Sequence, residues 1–246
     1  MEQNFQPIRY NIISEKNKRE IVMLRGNGCT WKNCRFCDYH LDFSKDDSSN
    51  FLLNKQVLAY ITGQYHTLEI INSGSFVDLD KKTIQLIENI CLERQITQLH
   101  FECHWIHRHS IPDFRKRFAE NGITLKLKTG VETFDTLFRE CYLSKGIDTN
   151  SPQEIAKYFQ EACLLQGIPG QTKDSMIRDI EIGLAYFERI CINIMTKNSS
   201  PIQPDPKVIS IFKNEVYPAY FQNPRVDILL DNTDFGIGKI DKITLL

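Results

Sequence analysis

The sequence has almost no net charge, with 30 Lys and Arg against 31 Asp and Glu. That balance speaks against broad electrostatic capture of nucleic acid or of an anionic membrane. No apolar run approaches the roughly 20 residues that a membrane span requires. There is no internal repeat and no low-complexity linker. The opening stretch MEQNFQPIRYNIISEKNKRE lacks the charged-then-apolar layout of a secretory signal. These absences lead us to expect a cytoplasmic protein with no membrane or nucleic-acid partner. Thiols stay reduced in that compartment, so clustered cysteines there more often bind metal than form disulfides. What remains is the composition of an ordinary globular chain, 41% apolar and 25% charged over 246 residues, long enough for one sizeable core.

The eight cysteines divide unevenly. Cys91, Cys103, Cys141, Cys163 and Cys191 stand alone, mostly in apolar segments such as ENICLER and ERICINIM. Most of them read as small buried hydrophobes. The other three crowd into GNGCTWKNCRFCDYH (26–40), where Cys29, Cys34 and Cys37 form C-x4-C-x2-C with no fourth cysteine beside them. Three sites fit that spacing: zinc on three thiolates plus His40, a plant-type [2Fe–2S] centre completed by a distant cysteine, or a [4Fe–4S] cubane on three cysteines with one iron left open. Context favours the last. A ferredoxin calls for a small β-rich domain, and a structural zinc staples loops that lack a core.

Short β-rich runs alternate with helical patterns along the chain. Strands are expected at 20–24, 67–72, 98–103, 123–130, 163–167, 191–195 and 225–230. Helices are expected between them, at 52–63, 80–95, 111–122, from Ser151, and at 174–190. Strand-then-helix repetition implies parallel strands joined by crossovers. The expected fold is α/β, a partial or near-complete (β/α) barrel of parallel strands in one domain over 1–246. Its core would span about 20–195, with 196–246 closing the barrel. Function then gathers at the C-terminal ends of the strands, where loops 41–50 and 197–207 are placed to cover it.

The cysteine motif resembles that of the radical SAM superfamily, whose usual form is C-x3-C-x2-C with an aromatic before the last cysteine. Phe36 matches the aromatic; the first gap is one residue longer. NSGSF (72–76) resembles the glycine-containing segment that holds the methionyl group of S-adenosylmethionine, here without an acidic residue, leaving Ser73, Gly74 and Ser75 to serve. TGVET (129–133) is similar to the ribose-contacting segment, with Glu132 as acceptor, and GIPGQT (167–172) to the turn near the adenine, with Gly167, Ile168 and Gly170. The resemblance covers roughly 20–195. It implies a [4Fe–4S] cluster on Cys29, Cys34 and Cys37, S-adenosylmethionine as cofactor, a 5′-deoxyadenosyl radical, and a reduced flavodoxin or ferredoxin as electron donor.

A compact chain with a near-neutral surface points to a small-molecule substrate. Glu102 and Asp231 stand at strand ends, where a carboxylate can accept the paired N–H donors of a guanine-like edge. His104, with Trp105 and His107, offers stacking or proton transfer. The plainer alternatives are histidines that cap a turn, and an Asx-turn at Asp231 before Gly236 and Gly238. Within the superfamily the chain resembles the clostridial queuine lyases, which implies a 7-deazaguanine base as substrate and cleavage of its C–N bond. A radical SAM enzyme acting on another small molecule or on tRNA, and a non-catalytic iron–sulfur or zinc protein, are the alternatives.

Overall fold

The computed structural model describes residues 7–238; the remainder of the expected span, 1–6 and 239–246, lies outside the described residues. Eight strands form one sheet in chain order: β1 Tyr10–Ile13, β2 Arg19–Leu24, β3 Thr67–Asn72, β4 Gln98–Glu102, β5 Thr124–Glu132, β6 Glu161–Gln166, β7 Arg189–Ile194 and β8 Val226–Leu229. β1 runs antiparallel to β2, and every later pairing is parallel. The helices fill the connections: α1 Asp47–Leu58, α2 Lys81–Glu93, α3 Ile111–Ala119, α4 Pro152–Ala156, α5 Lys173–Tyr186, α6 Pro206–Ile211 and α7 Tyr217–Tyr220. The curled sheet is the partial (β/α) barrel that the alternation implies.

Local chemistry sets these elements. In α2 the Asp80 side chain caps the Thr83 N–H, and Ile84, Ile87 and Cys91 recur at helical spacing to bury one face. Ser151 caps α4 at Glu154 with Pro152 in the first turn, as its sequence predicts. Two differences stand out. The strand expected first, at 20–24, is the second, because the four residues of β1 lie in a polar stretch with little apolar signal. The first helix begins at Asp47, where Asp46 caps Ser48 and Ser49, not at Leu52.

The interior of the barrel below its C-terminal rim is ionic. Each of β2 to β8 contributes one ionisable side chain: Arg19, Glu69, His100, Lys128, Glu161, Arg189 and Asp227, all buried. Glu69 pairs with Arg19 and Lys128, Arg189 bonds Glu161 at 2.7 Å and Asp227 at 3.1 Å, and His100 Nδ1 meets Glu161 at 2.8 Å. Three cations balance three carboxylates. Burial alone would raise the Glu69 carboxyl, but Lys128, Arg19 and Arg189 overcome it and hold it well below the usual range.

The two edges of the sheet approach each other. Ile8 and Gly238 exchange backbone hydrogen bonds of 2.9 and 2.8 Å, and Asn11 Nδ2 donates to the Phe235 carbonyl.

Candidate active site

The loop after β2 carries the three cysteines, and the chain after β5 and after β7 clamps it. The Trp31 indole N–H donates to the Ser144 carbonyl at 2.9 Å, and its ring stacks on His104 at 5.5 Å. Gly146 makes room for it: a Cβ there would lie 2.2 Å from the indole. Arg35 N–H bonds the Leu143 carbonyl, and Phe36 buries itself among Leu143, Leu165, Ile168 and Met195. Segment 198–202 lies across the same loop. Asn198 Nδ2 donates to the Phe36 carbonyl, Ser199 to Asp38, and Ile202 N–H to the Arg35 carbonyl.

Cys29, Cys34 and Cys37 are thereby held half-buried, unpaired, and on the wall of one open cavity at the C-terminal end of the strands. Burial pushes the Cys34 thiol up and the Cys37 thiol to about 12. Thiolate ligands must lose their protons to bind iron, and the nearby Lys145 ammonium works in that direction. Among the described residues no three His, Cys, Asp or Glu side chains converge as they would around a single ion. Thiols spread over a cavity wall suit a cubane, in which each binds a different iron.

The other expected residues fall into two groups. Ser73, Gly74, Glu102, His104 and Glu132 line the cavity with the cysteines and Phe36. Ser75, Gly167, Ile168, Gly170 and Asp231 do not. The Ser75 hydroxyl accepts the His104 N–H at 2.9 Å and caps the turn at Asp78, so it is not available to a cofactor. Gly167 faces Ile209 of α6, Gly170 faces Phe138, and Ile168 packs beneath Phe36. They shape the cavity from behind. Asp231 is exposed and accepts the Thr233 N–H at 3.0 Å and its hydroxyl at 2.7 Å. That is the Asx-turn, and it corrects the expectation of a substrate carboxylate there; Asn232 enters the cavity instead.

His104 takes the plainer of its two readings, the turn cap. Its Nε2 bonds the Lys145 carbonyl at 2.9 Å and its Nδ1 accepts the Ile106 N–H. Burial, then Lys145, lowers its pKa to about 3. A neutral imidazole with both nitrogens engaged caps a turn and seats Trp31; it does not shuttle protons.

Glu132 follows a bulge in β5 and adopts a left-handed φ of +67°. Its Oε1 accepts from Lys145 Nζ at 2.8 Å, and both side chains are buried. Gly130 makes space for the pair, since a Cβ there would lie 2.3 Å from Glu132 Oε1. Glu132→Ala leaves the Lys145 ammonium without its partner, and breaking a buried pair this way costs about 3–5 kcal/mol. The variant should melt at a clearly lower temperature, and Lys145→Met added to it should recover most of the loss. An unchanged melting temperature would show that the pair carries no weight.

The cavity floor joins the ionic interior. Lys128, anchored on Glu69, stands 3.5 Å from Glu102. Burial, reinforced by Glu69, raises the Glu102 carboxyl against the pull of Lys128. Asn72 also lines the cavity, and its buried Oδ1 has no hydrogen-bond partner. Sequence reasoning missed Lys128, Lys145, Trp31 and Asn72. Only Asn72 had a signal, as the first residue of NSGSF; the lysines sit in runs that read as solvated.

No family model and no curated protein matches the chain. Among solved structures it is similar to a queuine lyase from Clostridium spiroforme bound to SAM and queuine. The identity is 41% and the TM-score 0.91, covering 95% of this chain and 100% of that one. With three thiols on an open cavity at the strand ends, and that likeness running through the whole fold, the chain belongs to the queuine lyase family of radical SAM enzymes.

Proposed function

We infer that the protein is a radical SAM lyase that cleaves queuine and releases 7-aminomethyl-7-deazaguanine, with the whole chain working as one domain. The observation that carries this is the full-length 41% identity to a queuine lyase bound to SAM and queuine. The donor set agrees: the cluster loop offers three thiols and no fourth, and they face one cavity at the strand ends.

A [4Fe–4S] cluster on Cys29, Cys34 and Cys37 supplies the electron that splits the sulfonium C–S bond of S-adenosylmethionine into methionine and a 5′-deoxyadenosyl radical. The chain's residues bind, orient and exclude water. The free Asn72 Oδ1 suits the methionyl ammonium. Glu132 gives one oxygen to Lys145 and keeps the other for ribose hydroxyls. Phe36 and segment 198–202 seal the cluster side. At the floor, Glu102 faces the N1–H and 2-amino donors of the base and Lys128 its carbonyl. This fixes the cyclopentene ring for loss of one hydrogen atom and rupture of its bond to the aminomethyl nitrogen.

The reductant is a small low-potential carrier of the flavodoxin or ferredoxin type; exposed Lys32, Arg35 and Lys45 around the cluster loop favour an acidic one. No helix among the described residues is long and apolar enough to cross a membrane, in keeping with a cytoplasmic enzyme.

Reduced, reconstituted protein with S-adenosylmethionine and queuine should yield 7-aminomethyl-7-deazaguanine together with 5′-deoxyadenosine by mass spectrometry. If 5′-deoxyadenosine appears equally slowly with and without queuine, and no deazaguanine product forms, the lyase reading is wrong. The alternatives, another small molecule or tRNA, have no observation that favours them over queuine.

A further inference from the structure

Cys163, a thiol that the mechanism above leaves unused, lines the same cavity, with Cys191 beside it behind the wall. Cys163 of β6 is directly opposite Cys191 of β7 in the parallel register. Both are buried, at 9% and 5% exposure, and packed by Leu229 and Phe235. Cys163 lines the cavity beside Lys128 and Leu165, and Cys191 Sγ lies 3.9 Å from Asn193 Oδ1, another lining residue. β6 stands four strands round the sheet from β2, whose loop carries the cluster cysteines. A substrate held between would meet the radical source on one side and these thiols on another.

The reaction needs a group of this kind. When the 5′-deoxyadenosyl radical takes a hydrogen atom from a hydroxyl-bearing ring carbon next to the C–N bond, the amine leaves with the bonding pair and takes up a proton, the hydroxyl gives up its proton to become a carbonyl, and the unpaired electron stays on the ring-derived fragment. It must gain a hydrogen atom. Of the other groups that line the cavity, the Cys103 S–H is turned to the His104 carbonyl and the Tyr39 phenol is exposed to solvent; the rest are carboxylates, ammonium groups, hydroxyls and side-chain amides, whose N–H and O–H bonds are strong. An S–H bond is weaker and is the natural donor. A thiolate could not serve, and here the hydrogen bond to Cys191 together with burial keeps Cys163 protonated. The same protonation disfavours a thiol–disulfide switch, which needs the thiolate.

We propose that Cys163 is the hydrogen-atom donor to the ring-derived radical, with Cys191 as the residue that positions its S–H; the proposal rests on the lyase reading. The substrate radical takes H from Cys163 and becomes closed-shell, leaving a thiyl radical. One electron from the same class of low-potential carrier, and one proton from solvent, restore the thiol.

The test runs the reaction in deuterium oxide, where the thiol exchanges to S–D. Wild-type enzyme should place one solvent deuterium in the ring-derived product and none in 5′-deoxyadenosine. In Cys163→Ser, serine keeps the size and a hydrogen-bonding group, but its O–H bond is too strong to donate. 5′-Deoxyadenosine should still form, deazaguanine product should fall about tenfold, and freeze-quenched samples should show a carbon-centred radical by electron paramagnetic resonance. A retained brown chromophore and melting temperature check the fold, and Cys163→Ala is the second variant. Product formed by both variants at the wild-type rate, with the same deuterium content and no accumulated radical, overturns the proposal. A wild type that makes no deazaguanine product overturns the lyase reading and the proposal together.

Discussion

Cys34→Ala is expected to give a colourless protein that no longer cleaves S-adenosylmethionine under reducing conditions. Each of the three thiols binds one iron of the cubane, so a loop with two cannot close the set. Cys34 also packs in the apolar cluster around Phe36, between the segments that clamp the loop from both sides, and no other thiol of that loop can replace it. Iron should drop from about four per chain to near zero, with Cys29→Ala and Cys37→Ala behaving alike. Cys91→Ala is the control: that thiol is buried on α2, away from the cavity, and its loss should leave colour and cleavage intact. If Cys103→Ala bleached the protein as fully, a four-thiolate site would be indicated and the open iron would be lost. A colourless wild type carrying one zinc would overturn the cluster altogether.

Queuine binding by Glu102→Gln is expected to weaken about ten- to a hundredfold while S-adenosylmethionine binding survives. A carboxylate that accepts two N–H donors makes charge-assisted hydrogen bonds worth roughly 1.5–3 kcal/mol each. Glutamine keeps the shape, but offers one acceptor oxygen and sets an N–H against a donor. The loss of about one such bond corresponds to a factor of ten or more. It also leaves Lys128 without its second carboxylate at 3.5 Å. The pH dependence follows from the raised Glu102 carboxyl. Only the ionised form accepts both donors, so queuine affinity should rise with pH through a midpoint above the ordinary carboxylate range near 4.3. In Glu102→Gln that rise should vanish. Equal queuine dissociation constants for wild type and variant, at a pH above the midpoint, would remove Glu102 from the substrate site.

Much of this site was legible because its signals are local. Three cysteines at fixed spacing, Phe36 beside the last, and glycine turns at strand ends all need only neighbouring residues to be recognised, and TLEIIN is β3 to the residue. Asp231 misled for the same reason: it ends an apolar run, but the turn it caps is made with Thr233, and its side chain points away from the cavity. Sequence left His104 between a turn cap and a free imidazole because the Lys145 carbonyl that binds it is 41 residues away. Lys145 and Trp31 carry no periodicity, and they meet only when the chain after β5 folds over the cluster loop. The charges inside the barrel were invisible because alternation along a strand tells two faces apart without saying which one is wet.

Those interior charges bear on when the protein can become itself. Asp227 is the carboxylate that Arg19 and Arg189 share, and it lies in the last strand to be made. Until β8 emerges, a growing chain holds two guanidinium groups in a half-formed barrel with too few anions, and neither can be desolvated cheaply. Docking the first parallel strand to the last closes a loop of about two hundred residues, a high-contact-order event that slows folding. Synthesis and iron delivery are thereby put in sequence: the strap over the cysteine loop comes from the chain after β7, so the cavity wall that seats the cluster is completed only once that late segment has been made.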